Sequence, residues 1–157
     1  MIEIEVPGCG TYRLRYLVLD VNGTIAVDGR LEEGVARRLT ELRRHSVEVH
    51  MLTADTRGRQ QIIDAQLGMK ATRIMPEDEA AQKASFVREL GGEGVCAVGN
   101  GANDAEMLGE AELPIAVLGE EGLAVETLNA ADVVVPHINA ALDLLLNPLR
   151  LVATLRR

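Results

Sequence analysis

Three short segments gather the reactive side chains of this chain. Asp20-Val21-Asn22-Gly23-Thr24 follows the apolar run 16–19, Thr53-Ala54-Asp55 follows the run 47–52, and Gly99-Asn100-Gly101-Ala102-Asn103-Asp104 follows the run 95–98. Carboxylates, amides and a hydroxyl therefore stand beyond the ends of three apolar runs, while the other run ends read as bland. Acids converging at one sheet edge make a hard-cation site, because Mg²⁺ takes oxygen ligands and needs few dedicated ones. The three histidines, His45, His50 and His137, lack zinc-like spacing and read as surface or helix-end residues. Cys9 and Cys96 cannot build a disulfide framework, and Cys96 lies in an apolar run that reads as buried strand.

The elements that position these segments follow from periodicity. Ile2, Ile4 and Val6 alternate with acids, Pro7-Gly8-Cys9-Gly10 turns, and Thr11 to Leu19 returns as a second strand, giving an N-terminal β-hairpin. The end of that run is continuously apolar, as in a strand buried on both faces. Leu31, Val35, Leu39 and Leu42 mark a first helix face, followed by a strand over 47–52. Ile62, Ile63 and Leu67 mark a second helix, and 70–75 reads as a short strand. Pro76 opens a third helix that runs to about Leu90 and carries Lys83. Strands at 95–98, 114–118 and 133–135 alternate with helices at 102–108 and about 123–128. That alternation predicts an α/β fold, a Rossmann-like three-layer sandwich around a central, mainly parallel sheet, organised as one domain over 1–157. Functional groups in such folds gather beyond the carboxyl ends of the strands.

Taken together, the segments resemble the four motifs of the haloacid dehalogenase superfamily of phosphoryl-transfer enzymes, in order and over essentially the whole chain. The resemblance implies that Asp20 is a nucleophile that attacks phosphorus, forms an acyl phosphate and yields to water. It implies phosphate binding by Thr53, Ala54, Lys83 and Asn103, and an Mg²⁺ site made by Asp20, the backbone carbonyl of Asn22, Asn100 and Asp104. Fewer than thirty residues separate Thr24 from Thr53, so no cap domain fits there, and only a hairpin flap over 25–30 does. No second insertion fits between Thr53 and Lys83. Capless relatives often assemble into oligomers, and the apolar tail (Leu144, Leu145, Leu146, Leu149, Leu151) could be a subunit contact or could pack on its own sheet.

Two positions depart from the family pattern. The residue two past the nucleophile is usually a second aspartate acting as general acid and base; here it is Asn22, and such help is worth roughly 10²–10⁴-fold in rate. The fourth motif usually begins Gly-Asp, and here it begins Gly99-Asn100, which removes an anionic ligand. The chain also resembles the phosphorylation domain of P-type ATPases, which likewise lacks the second acid and whose Thr-Gly-Asp is close to Thr53-Ala54-Asp55. The expected activity is slow, Mg²⁺-dependent hydrolysis of a small phosphorylated molecule, with Asp20, Asn22, Thr53 and Lys83 at the catalytic centre. The alternative is a binding or regulatory module that keeps the fold without useful catalysis. A phosphoacceptor receiver domain is disfavoured, because Leu14-Arg15-Tyr16 supplies no acids before the first core strand. Asp28, Asp55, Arg57 and Arg59 stand where they could line the mouth, and read first as surface charges.

Composition excludes other classes. Sixteen basic against twenty-four acidic residues give a net charge of −8, a poor match to the basic surface that nucleic-acid binding needs. Tyr12, Tyr16 and Phe86 are the only aromatics, too few for a base-stacking platform. The N-terminus alternates charge with apolar residues and does not read as a signal peptide. The leucine-rich stretch 138–155 is interrupted by Asp143, Pro148 and Arg150 and is too short and polar for a membrane span, so a cytoplasmic location is the default.

Overall fold

The computed structural model describes residues 1–55 and 58–157. The chain opens with β1 (Ile2–Val6) and β2 (Gly10–Leu14), an antiparallel hairpin in register from Ile2 opposite Leu14 to Val6 opposite Gly10. Ile2, Ile4 and Val6 turn inward, as a period of two dictates. The expected single strand over 11–19 is two. At Arg15 the chain leaves the hairpin, its N–H donating to Gly94 O at 2.8 Å and its carbonyl accepting from Glu48 N. It then becomes β3 (Tyr16–Asp20), a strand of the main sheet.

A small flap follows, β4 (Ala26–Val27) and β5 (Arg30–Leu31), antiparallel around Asp28-Gly29. Leu31 thus belongs to the flap, and the first helix, α1 (Val35–Arg44), buries Val35, Leu39 and Leu42. Next come β6 (Glu48–Thr53), α2 (Gln60–Leu67), the short β7 (Thr72–Arg73) and α3 (Glu79–Glu89). Ile62, expected on the buried face of α2, points outward at 62% exposure. α3 starts at Glu79 and not at Pro76, because Gln82 folds back onto Met75 N, Met75 O and Glu77 O and holds the intervening loop. The chain continues through β8 (Val95–Gly99), a 3-10 turn (Ala102–Asp104), α4 (Ala105–Gly109), β9 (Leu113–Val117), α5 (Val125–Ala130) and β10 (Val133–Val135). Two helices, α6 (Ile138–Leu146) and α7 (Pro148–Leu155), complete it.

Six parallel strands lie in the order β10-β9-β8-β3-β6-β7. Strands β3, β8 and β9 are buried on both faces and are nearly all apolar, whereas the edge strand β7 is exposed. Leu17, Leu19, Met51 and Val98 pack toward α1 and α6, while Val18, Leu52 and Ala97 pack with Val87, Met107 and Leu108 of α3 and α4. The outcome is a three-layer α/β sandwich with an N-terminal hairpin, and no cap domain among the described residues. The tail packs on this fold: Leu142, Leu145 and Leu151 are buried in the core, and Arg157 N bonds Pro7 O at 3.0 Å. Of the leucines in that stretch Leu149 alone is exposed, at 83%. α6 and α7 meet at a bend of 101°, and among the described residues no single helix is long and apolar enough to cross a membrane.

Candidate active site

Strand order reverses at β3: the chain adds β6 and β7 on one side, then returns to add β8, β9 and β10 on the other. Such a switch point opens a crevice beyond the strand's carboxyl end, where ligands bind in open α/β sheets. Asp20 is the last residue of β3 and stands at that point, 6% exposed. Its even position, shared with Val18, directs it to the face covered by α3.

Lys83 comes from the buried side of α3, 1% exposed, and its Nζ lies 2.8 Å from Asp20 Oδ1 and 2.7 Å from Asp104 Oδ1. Asp104 is wholly enclosed. Its second oxygen accepts N–H bonds from Asn100 at 2.9 Å and Gly101 at 3.0 Å, folding the loop after β8 into a tight turn. That turn needs glycine at position 99, since a Cβ there would fall 2.6 Å from the Asp104 carboxylate. Thr24 Oγ1 lies 3.3 Å from Asp20 Oδ2 and 3.1 Å from Asn100 Oδ1, joining the first and fourth segments. Burial above all, with the Asp104 charge behind it, pushes the Asp20 carboxyl up to about 7, against the opposing pull of Lys83. Lys83, held by two carboxylates, is shifted upward despite the desolvation that opposes it, and stays a cation.

Above this floor lies a cavity of about 310 Å³ lined by Asp20, Asn22, Ala54, Lys83, Asn100 and Asn103, with Glu79 and Glu121 at its walls. A second cavity of about 380 Å³ adjoins it through Asn22, Ala54 and Glu121 and extends under the flap to Asp28, Asp55 and Arg59. The mouth reading of those three residues therefore has a structural counterpart, and Arg57 lies outside the described residues. Thr53 is 1% exposed and does not itself line the cavity. Its Oγ accepts the Asp55 N–H at 3.1 Å, while Asp55 accepts from Gln60 N at the start of α2. Asn103 Nδ2 donates to Glu79 Oε2 at 2.6 Å.

Sequence reasoning misses three participants. Thr24 sits inside the first segment but receives no role from its type alone. Glu79 precedes Lys83 by one helical turn, and that spacing is the signal that finds it. Glu121 stands in the loop after β9, beyond a run end that reads as bland in sequence, and its carboxylate is the signal there. The histidines serve the scaffold: His137 accepts from Ala140 N at the start of α6, and His50 packs between the rings of Tyr16 and Phe86.

The structure superposes on the cobalt-bound deoxy-D-mannose-octulosonate 8-phosphate phosphatase of Haemophilus influenzae, with a TM-score of 0.69 at 14% identity, covering 86% of this chain and 88% of that one. The equivalent phosphatase of Moraxella catarrhalis, in complex with magnesium, phosphate and KDO, gives a TM-score of 0.67 at 16% identity, over 86% and 87% of the two chains. A zinc-transporting PIB-type ATPase in its E2.Pi state matches at a TM-score of 0.58 and 25% identity, over 79% of this chain and 20% of the pump. The chain has the haloacid dehalogenase fold, with no cap domain among the described residues. In sequence, the chain is 33% identical to a copper-exporting P-type ATPase of Staphylococcus aureus over 117 residues, 73% of its length. It spans only 14% of that pump. It is 44% identical over 92 residues to an uncharacterized protein of Methanocaldococcus jannaschii, covering 56% of this chain and 99% of that protein. No protein family model matches the chain.

The donors fit a hard cation. Among the described residues no three histidine, cysteine or acidic side chains converge closely enough to form a cage by themselves. The cavity instead offers a mixed oxygen set from Asp20, Asn22 and Asn100, the kind of sparse site Mg²⁺ accepts. Three carboxylates against one ammonium also leave the cavity walls negative, a charge a divalent cation offsets.

Proposed function

We propose that this chain is a Mg²⁺-dependent phosphohydrolase that works through an aspartyl-phosphate on a small phosphorylated molecule, with slow turnover. The observation that carries the reading is the Lys83 ammonium held between Asp20 and Asp104 at the floor of the switch-point cavity. The Asp20 carboxylate attacks phosphorus, and the P–O bond to the leaving group breaks with its electron pair. Water then attacks the acyl phosphate, releasing inorganic phosphate and restoring Asp20. Lys83 steadies Asp20 and faces the incoming phosphate. Ala54 stands at the cavity wall with Asn103 opposite, and Thr53, buried behind Ala54, holds the Asp55 backbone that follows. Asp104 holds Lys83 and the loop that presents Asn100. Mg²⁺, when bound by Asp20, the Asn22 carbonyl and Asn100, screens the repulsion between carboxylate and phosphate oxygens. It also favours the ionised form of a carboxyl that burial otherwise raises to about 7.

Turnover is slow because the Asn22 amide cannot protonate a leaving alkoxide or activate water. The two octulosonate phosphatases support a small phosphorylated substrate, and the cavity beneath the flap has room for its leaving group. The test is p-nitrophenyl phosphate hydrolysis with and without Mg²⁺, by the unaltered protein and by Asp20→Asn. Metal-dependent turnover that the substitution abolishes supports the reading. The amides at Asn22 and Asn100 favour a second reading, a binding module; Mg²⁺ binding with no turnover in either protein would replace the first with it.

A further inference from the structure

The cation position is short of a carboxylate. Asn100 places a neutral amide at the head of the fourth segment, and Asp104 is sealed behind it, absent from the cavity wall. Glu121 is the acid that stands beside that amide. A Cβ built on Gly23 would collide with Glu121 Oε2, and would lie 2.8 Å from Asn100 Nδ2 and 3.0 Å from Asn100 Oδ1. The glutamate and the amide thus share the space over Gly23 that only a residue without a side chain leaves open. Asn100 Oδ1 meets Thr24 Oγ1 at 3.1 Å, and Thr24 Oγ1 lies 3.3 Å from Asp20 Oδ2. These contacts form an arc of oxygens that begins at Asp20 and ends at Glu121. Among the described residues Glu121 is engaged in no hydrogen bond or ion pair, whereas Glu79, the other wall carboxylate, is held by Asn103. The adjacent Glu120 faces different cavities, beside His137 and beside Arg30.

The geometry points to Glu121 as a cation ligand that supplies, from the loop after β9, the negative charge Asn100 lacks. This rests on the Mg²⁺ reading above and adds a residue to it. A hard cation prefers anionic oxygen, and ligand charge count sets affinity. A carboxylate on a second loop therefore restores what the amide at position 100 gives away.

The test is binding of the metal alone, with no phosphate or substrate present. Mn²⁺, an oxygen-seeking surrogate whose free ion is counted by electron paramagnetic resonance, is titrated into the full chain and its variants. Glu121→Gln should weaken binding by at least about tenfold, the loss that follows removal of even a group behind the ligands. Glu120→Gln should leave the affinity unchanged, and Asn100→Asp introduced into Glu121→Gln should restore it. Position 121 is exposed, so folding of the variants is checked simply by circular dichroism. Unchanged affinity in Glu121→Gln overturns the inference while leaving the Mg²⁺ reading standing. An equal loss in Glu120→Gln also overturns it, since bulk charge would then be responsible. No binding by the unaltered protein overturns the metal reading itself.

Discussion

Replacing Asp20 by asparagine should stabilise the metal-free protein by an amount that grows as pH rises from below the unfolded carboxyl value and is greatest at alkaline pH. The carboxyl is 6% exposed, and burial with the Asp104 charge raises it from 3.8 to about 7 in the fold. In the unfolded chain it titrates near 3.9. Between those values the folded state holds a proton that the unfolded state has lost. The stability this contributes is complete below the unfolded value and is lost as pH rises through the folded one. A shift of about three units corresponds to about 4 kcal/mol, more than half of which falls between about pH 5 and about pH 8. Asp20→Asn has no such titration, so its stability relative to the unaltered protein should rise by that share across the same interval. The assay is urea unfolding of both proteins in EDTA at the two pH values, read as the difference of differences. Excess Mg²⁺ should shrink the effect, because the ion binds the ionised fold and stabilises it. Parallel pH profiles for the two proteins in EDTA would refute the argument that burial raises this carboxyl.

Other consequences are open to measurement. Asn22→Asp should raise turnover of an alkyl phosphate by about 10²-fold or more while changing an aryl phosphate much less, since only the poorer leaving group needs the proton; equal gains on both would show that position 22 does not limit catalysis. Arg38 grips Asp143 with both arms, at 2.7 and 3.0 Å, tying α1 to α6 and lowering that carboxyl below its ordinary range. Asp143→Asn should therefore cost about 1 kcal/mol near neutral pH, allowing for partial exposure, and the gap should close as pH falls through the lowered value; denaturant midpoints across pH test it. Leu151→Ala should cost about 2–5 kcal/mol in thermal or urea unfolding, because the side chain is fully buried in the core; a cost below about 1 kcal/mol would mean that α7 is not docked on the fold.

The order of strands and helices was legible because apolar runs buried on both faces leave little choice of period. The same runs delivered Asp20, Thr53 and Asn100 as strand-end residues, and the third helix carried Lys83. Boundaries were less legible where a backbone partner distant in sequence decides them. Arg15 divides one apparent strand because Gly94 and Glu48 claim its backbone, and the start of α3 waits for Gln82 to close its loop. Residue types and order therefore told of a parallel α/β sandwich whose acids, amides and lysine share one sheet edge, since periodicity and strand direction are local properties. Tertiary structure alone decided how those groups divide the work. It buried Asp104 behind Lys83, withdrew Thr53 from the cavity wall and brought Glu121 over Gly23, because contacts between loops far apart in sequence depend on how the sheet stacks its strands.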